Sequence, residues 1–108
     1  MTFNKLFIRY TQHEVRVSTL GTAYSRCASI KKYFLSKHGT KEPLRVTYRD
    51  INAIYEEMRQ NNVAQNTIYG LYMALRSFFK YIIKIGATRY NPADDAEHIL
   101  PKLKNKGF

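Results

Sequence analysis

Between Ala64 and Gly86 the sequence AQNTIYGLYMALRSFFKYIIKIG holds a helical repeat long enough to be the spine of a small domain. At 3.6 residues per turn Ile68, Leu71, Tyr72, Leu75, Phe78, Phe79, Ile82 and Ile83 share one face, a stripe that must be covered by other elements. On the opposite side Tyr69, Met73, Arg76, Lys80 and Lys84 follow at steps of four, three, four and four, flanked by Asn66 and Ser77. No acid interrupts that row. Asn66 suits the N-cap, because its side chain can accept from an orphan backbone N–H, and Gly86 suits the stop, because it tolerates positive φ.

A chain of 108 residues with 44% hydrophobic composition can bury one core, so a single domain is expected. Nine tyrosines and six phenylalanines argue for a folded chain despite a formal net charge of +10. That charge points to a polyanionic partner, either nucleic acid or an acidic membrane surface. Cys27 stands alone, which excludes an internal disulfide or a Cys-rich metal site and fits a reducing cytoplasm. No apolar run approaches about 18 residues, and the opening MTFNKLFIRY has no signal-peptide core, so neither export nor a membrane span is expected.

The charge is also segregated. The acids are Glu14, Glu42, Asp50, Glu56, Glu57, Asp94, Asp95 and Glu97, leaving two long acid-free windows. Val15 to Lys41 carries Arg16, Arg26, Lys31, Lys32, Lys37 and Lys41; Met58 to Ala93 carries Arg59, Arg76, Lys80, Lys84 and Arg89. An electrostatic footprint on a phosphate backbone requires such segregation.

The remaining segments read as cover for the spine. Phe3, Leu6, Phe7 and Tyr10 have helical spacing, giving a short helix from Thr2 to about His13, and the alternation Val15, Arg16, Val17 reads as an extended link to an N-cap at Ser18. A second helix follows from Thr19 to about His38, with Leu20, Ala23, Tyr24, Cys27, Ile30 and Phe34 inward and Gly39 closing it. Its outer face presents Thr22, Ser25, Arg26, Ser29 and Lys32, short hydroxyls beside cations that suit a phosphate backbone. Cys27, in the apolar stripe, reads as a small core residue. Pro43 marks a loop. Thr47 then caps a third helix in an imperfect capping box with Asp50, its inner face Ile51, Ile54, Tyr55 and Met58, while Glu56 and Glu57 point away from any polyanion; Asn61 and Asn62 end it. Asn91 and Pro92 open a short fifth helix with Asp94 and Asp95 in its first turn, and Pro101 stops it.

No catalytic constellation emerges. His13, His38 and His98 lack zinc-site spacing, and Asp94, Asp95 and Glu97 read as helix N-terminal charge rather than a cation site. The five glycines form no phosphate loop, and no tyrosine can be given a base or oxyanion partner. Neither cofactor nor metal is expected.

The order of parts, with TYRDI opening a third helix and then NTIYGLYMALRSFFKYIIKIG, NPADDA and LPKL, resembles the core-binding domain of tyrosine recombinases of the phage integrase and Xer type. The resemblance covers roughly Phe3 to Leu103 and is most specific in LRSFFKYIIKIGATRYNPA followed by PKL. It implies an all-α, SAM-like four-helix bundle with a short additional C-terminal helix, residues 1–103, and a linker beginning at 104–108. It further implies that the bundle clamps one face of double-stranded recombination-site DNA while a separate C-terminal catalytic domain clamps the other, with further protomers joining in a synaptic complex. In that family the second and fourth helices approach the major groove, and here these fall on the two acid-free windows. The family's catalytic set, an Arg, a Lys, a His-x-x-Arg element, a further His or Trp and a nucleophilic Tyr, has no match here, so an excised, non-enzymatic domain is expected.

The expected function is therefore duplex DNA binding in the cytoplasm, associated with the nucleoid, without membrane or small-molecule partners. Arg26, Lys32, Lys80 and Lys84 would meet phosphates, and Asn66, Tyr69, Met73 and Arg76 would reach base edges. Thr22, Ser25, Ser29 and Ser77 complete the expected DNA-binding set. The rivals are a helical protein-interaction module of the SAM or death-domain kind and a basic domain for acidic membranes.

Overall fold

In the computed structural model, which describes residues 1–95, the apolar periodicity after Ala64 becomes one 20-residue helix, α4 (Gln65–Lys84). Three helices precede it. α1 is Phe3–Val17, and α2 begins at Leu20–Ser29 and continues unbroken through a π-helical stretch, Ile30–Leu35, into a last turn, Ser36–His38. A 3₁₀ turn at Pro43–Arg45 leads to α3, Tyr48–Gln60, and after α4 comes the short α5, Pro92–Asp95. The described residues contain no strand. The architecture is a four-helix bundle with a short extra helix, and α4 packs against each of the other helices.

The inner stripe of α4 supplies Ile68, Leu71, Tyr72, Leu75, Phe78, Phe79 and Ile82, all buried, with Ala74 added and Ile83 only half-buried. Around its lower half an aromatic cluster joins three helices. Phe3 of α1 meets Phe34 of α2 edge-on at 4.9 Å, and Phe79 of α4 meets both, at 5.7 and 5.9 Å. Rings at these separations attract through their quadrupoles as well as by area burial.

The helix ends follow local chemistry. Gly86 has φ of +83°, its N–H donates to the Ile83 carbonyl and that of Ala87 to Ile82, a Schellman termination. The Thr47 N–H donates to Asp50 Oδ2 at 2.9 Å, and Asn62, at φ 59°, turns the chain after α3. Asn91 Oδ1 accepts from the Ala93 N–H at 3.1 Å, capping α5 with Pro92 in its first turn.

Five expectations need correction. Val15 to Val17 is helical rather than extended: Glu14 continues the inward series Phe3, Leu6, Tyr10, so α1 runs a turn past His13. Ser18 ends α1 with its N–H on the Glu14 carbonyl, and Thr19 is the N-cap of α2, its hydroxyl accepting from the Thr22 N–H at 3.3 Å. Leu20 and Tyr24 are 76% and 77% exposed, because the inward line of α2 is narrower, Ala23, Ile30 and Phe34, and these two lie at its margin. Asn66 is not the cap of α4; Ala64 holds that place, and Asn66 sits within the first turn. Gly39 closes α2 for a steric reason, since its φ is −58°. A Cβ there would lie 2.7 Å from the Leu35 carbonyl oxygen and run into the Asn4 side chain, where the Asn4 N–H donates to the Gly39 carbonyl at 2.8 Å. The expected stop at Pro101, the tail, and the domain boundary at 103 lie outside the described residues.

His38 is buried at the foot of α2, 5.4 Å from the Phe34 ring, with no hydrogen bond to Nδ1. Burial first, then the charge of Lys41, pushes its pKa below the ordinary value, and Lys37 adds to this while Asp50 opposes it. The unfolded chain therefore takes up a proton at a higher pH than the folded one. The stability held above the ordinary value, about 6.5, is lost as pH falls through it towards the lower folded value. Urea titrations between pH 7.5 and 5 should lose midpoint progressively, and His38→Phe should flatten that loss; equal slopes would show that other groups cause it. Leu75→Ala, in the centre of α4, should cost about 2–5 kcal/mol in the same measurement, whereas a loss under about 0.5 kcal/mol would mean a surface position.

Candidate nucleic-acid interface

α2 and α4 lie side by side, which brings the two acid-free windows onto one face. A shallow hollow between them is walled by Thr22, Ser25, Arg26 and Ser29 from α2 and Met73 from α4. Gly21 and Gly70 form part of its floor, and a Cβ at either would meet nothing within 4 Å, so the backbones there are open to a ligand. A second hollow adjoins it between α1 and α4, where Arg76, Ser77, Lys80 and Lys84 stand beside His13 and Tyr81. Arg26 and Met73 line both. No acid lines either one.

Nine of the expected residues thus converge, and three do not. Asn66 is exposed and Tyr69 half-buried at the start of α4, where Tyr69 packs on the core with its ring 5.9 Å from Tyr72. Lys32 departs further. It lines a different recess, towards α3, with Lys37 and Glu57, and its ammonium lies 5.2 Å from the Tyr33 ring centre. The π-helical stretch winds less per residue than an α-helix, so residues beyond Ile30 leave the row of Thr22, Arg26 and Ser29. Arg76 is partly buried with its guanidinium 5.3 Å from the centre of the Tyr72 ring, while Lys80 and Lys84 are exposed.

The residue that sequence reasoning missed is Glu14. It is an acid on a basic face, yet its side chain is only 3% exposed. Its Oε2 accepts from Arg26 Nη1 and from the Ser18 hydroxyl, each at 3.1 Å, and Oε1 accepts from the Ser77 hydroxyl at 3.3 Å. The Tyr10 hydroxyl donates to Ser77 Oγ at 2.9 Å. Burial raises the pKa of Tyr10 far above the ordinary phenol value, a shift that Glu14 reinforces and the Ser77 bond opposes. The same burial holds Tyr55 protonated. The signal was present: Glu14 stands four residues after Tyr10 on the inward line of α1, where an acid must be paired.

The other described acids with printed partners are engaged elsewhere. Glu57 pairs with Lys37, Glu56 with Arg59 at 3.4 Å, and Glu42 with the N-terminal ammonium at 3.5 Å. Among the described residues no three His, Cys, Asp or Glu side chains gather to hold a metal ion, and no helix is long and apolar enough to cross a membrane.

No family model and no solved structure matches the chain. Three curated proteins do, all named tyrosine recombinase XerC. That of Bacillus licheniformis is 33% identical over 92 residues, covering 83% of this chain and 30% of the relative. Those of Listeria innocua and Listeria welshimeri are 26% and 24% identical over 105 and 103 residues, covering 96% and 94% of this chain and 35% and 34% of the relatives. The chain spans about a third of the length of the curated relatives it matches.

Proposed function

We propose that this chain, a domain related to the tyrosine recombinases, binds double-stranded DNA through the face shared by α2 and α4 and contributes in that way to site-specific recombination. One observation carries the reading: residues from two separate acid-free windows line adjoining hollows that meet at Arg26 and Met73, while the acids around them are buried or paired elsewhere. A field of one sign over an open groove is what attracts a phosphate backbone and makes its binding salt-dependent. Lys80, Lys84 and Arg26 serve phosphates, with Thr22, Ser25, Ser29 and Ser77 as short donors. Arg76 and Met73 approach base edges, and Asn66 and Tyr69 extend the contact along α4. Lys32 meets a phosphate farther along the duplex.

On this reading the domain is the core-binding half of a clamp. Bond breakage and rejoining belong to a catalytic domain of the same parent protein, and other protomers assemble with it on the DNA. The buried tyrosines fit that division, since a phenol pushed away from ionisation is a poor nucleophile.

Mobility of this chain with random and cognate duplexes at two salt concentrations tests the proposal. Binding should weaken steeply with salt, from a baseline in the non-specific range of about 10⁻⁴ to 10⁻⁶ M. Lys80→Ala should weaken all duplexes alike and lower the salt slope by about one, whereas Arg76→Ala should cost about 1–3 kcal/mol on the cognate site only. Glu56→Ala, on the far helix α3, should leave affinity nearly unchanged. If neither basic substitution altered binding, the face would be wrong and a protein-interaction role would lead.

A further inference from the structure

Arg26 is the one cation that lines both hollows, and its guanidinium is held from behind by a carboxylate. Glu14 comes from α1, Arg26 from α2 and Ser77 from α4, so a single buried side chain joins the three elements that border the groove. Its Oε2 takes one Arg26 nitrogen and the Ser18 hydroxyl; its Oε1 takes Ser77, which also receives Tyr10. A buried carboxylate opposite a wanted polyanion is costly unless its placement serves something. Here one guanidinium nitrogen is bonded to it, while the Arg26 side chain remains 30% exposed. Five donors in a rigid plane allow an arginine to hold a carboxylate with one edge and offer another to a phosphate.

We infer that Glu14 is a positioning residue for DNA binding, fixing the Arg26 guanidinium at the junction of the two hollows so that its free edge meets a backbone phosphate. The inference rests on the DNA-binding reading above and deepens it. It also opposes simple electrostatics, by which removing an acid from a basic face should tighten binding to DNA. Ordering outweighs that gain, because a long side chain loses less freedom on binding when it is already held.

The experiment measures affinity of the full chain for a duplex against salt concentration, for the parent, Glu14→Gln, Arg26→Ala and the double variant, with thermal unfolding recorded alongside. Glu14→Gln should weaken binding about tenfold and reduce the salt slope by about one, the mark of one lost phosphate contact. In the Arg26→Ala background the same change should have no further effect. Should Glu14→Gln fail to fold, Arg26→Lys provides the test. It keeps the charge but not the planar fork, so weaker binding supports the inference and unchanged binding overturns it. Equal or tighter binding by Glu14→Gln overturns the positioning role while leaving the DNA reading intact. A loss of the same size in both backgrounds also overturns it, because Glu14 would then act on the fold alone. If the parent itself shows no salt-dependent binding, the DNA reading falls and this inference with it.

Discussion

Everything in this domain depends on the edge-on contact of Phe3, Phe34 and Phe79, one ring from each of the three helices that form the groove. In a chain this short the core cannot grow in volume, so large rings supply burial with little side-chain entropy lost. The contact also sets geometry. Phe3 is the first residue of α1, anchored by its N–H on the Lys41 carbonyl, so the entry of α1 is tied to the exit of α2. Once the rings are seated, Glu14 is carried three turns along α1 to a point between α2 and α4.

Function and stability then meet in one polar network inside an otherwise apolar packing. Glu14 could not be buried without Arg26, Ser18 and Ser77, and Arg26 could not be held at the rim without Glu14. The chain's formal charge of +10 is not spread evenly as a result. Pairs with Arg59, Lys37 and the N-terminus occupy acids away from the groove, and the cations that face the groove keep their field.

The sequence was most informative where a pattern is local. The stripe of α4, the Gly86 stop, the Asp50 bond at the start of α3 and the cap at Asn91 all depend on residues within one or two turns of each other. It was least informative where the deciding partner is distant in the chain. Glu14 looked like a boundary between charge windows because Ser77, 63 residues away, is what makes its burial possible. Val15, Arg16 and Val17 alternate as a strand would, yet tertiary packing of the preceding turns keeps them helical. Leu20 and Tyr24 fit an apolar wheel, but the neighbouring helix occupies only its centre. Lys32 was placed in the outer row on the assumption of a uniform helix.

That assumption fails at the π-helical stretch Ile30–Leu35, and the failure bears on how such a chain can vary in length. A helix with one widened turn holds a residue more than a regular helix of the same phase. Deleting one residue there would restore ordinary winding without shortening any loop. It would also turn all that follows by about 100°. Phe34 would leave the ring cluster, and the Gly39 carbonyl would swing from the Asn4 N–H that it caps. Loss of a single residue, usually tolerated in an exposed segment, is therefore barred in the second half of α2, whereas the turn from Gly21 to Ser25 admits larger side chains wherever space is open. Substitution and deletion are thus constrained at opposite ends of the same helix.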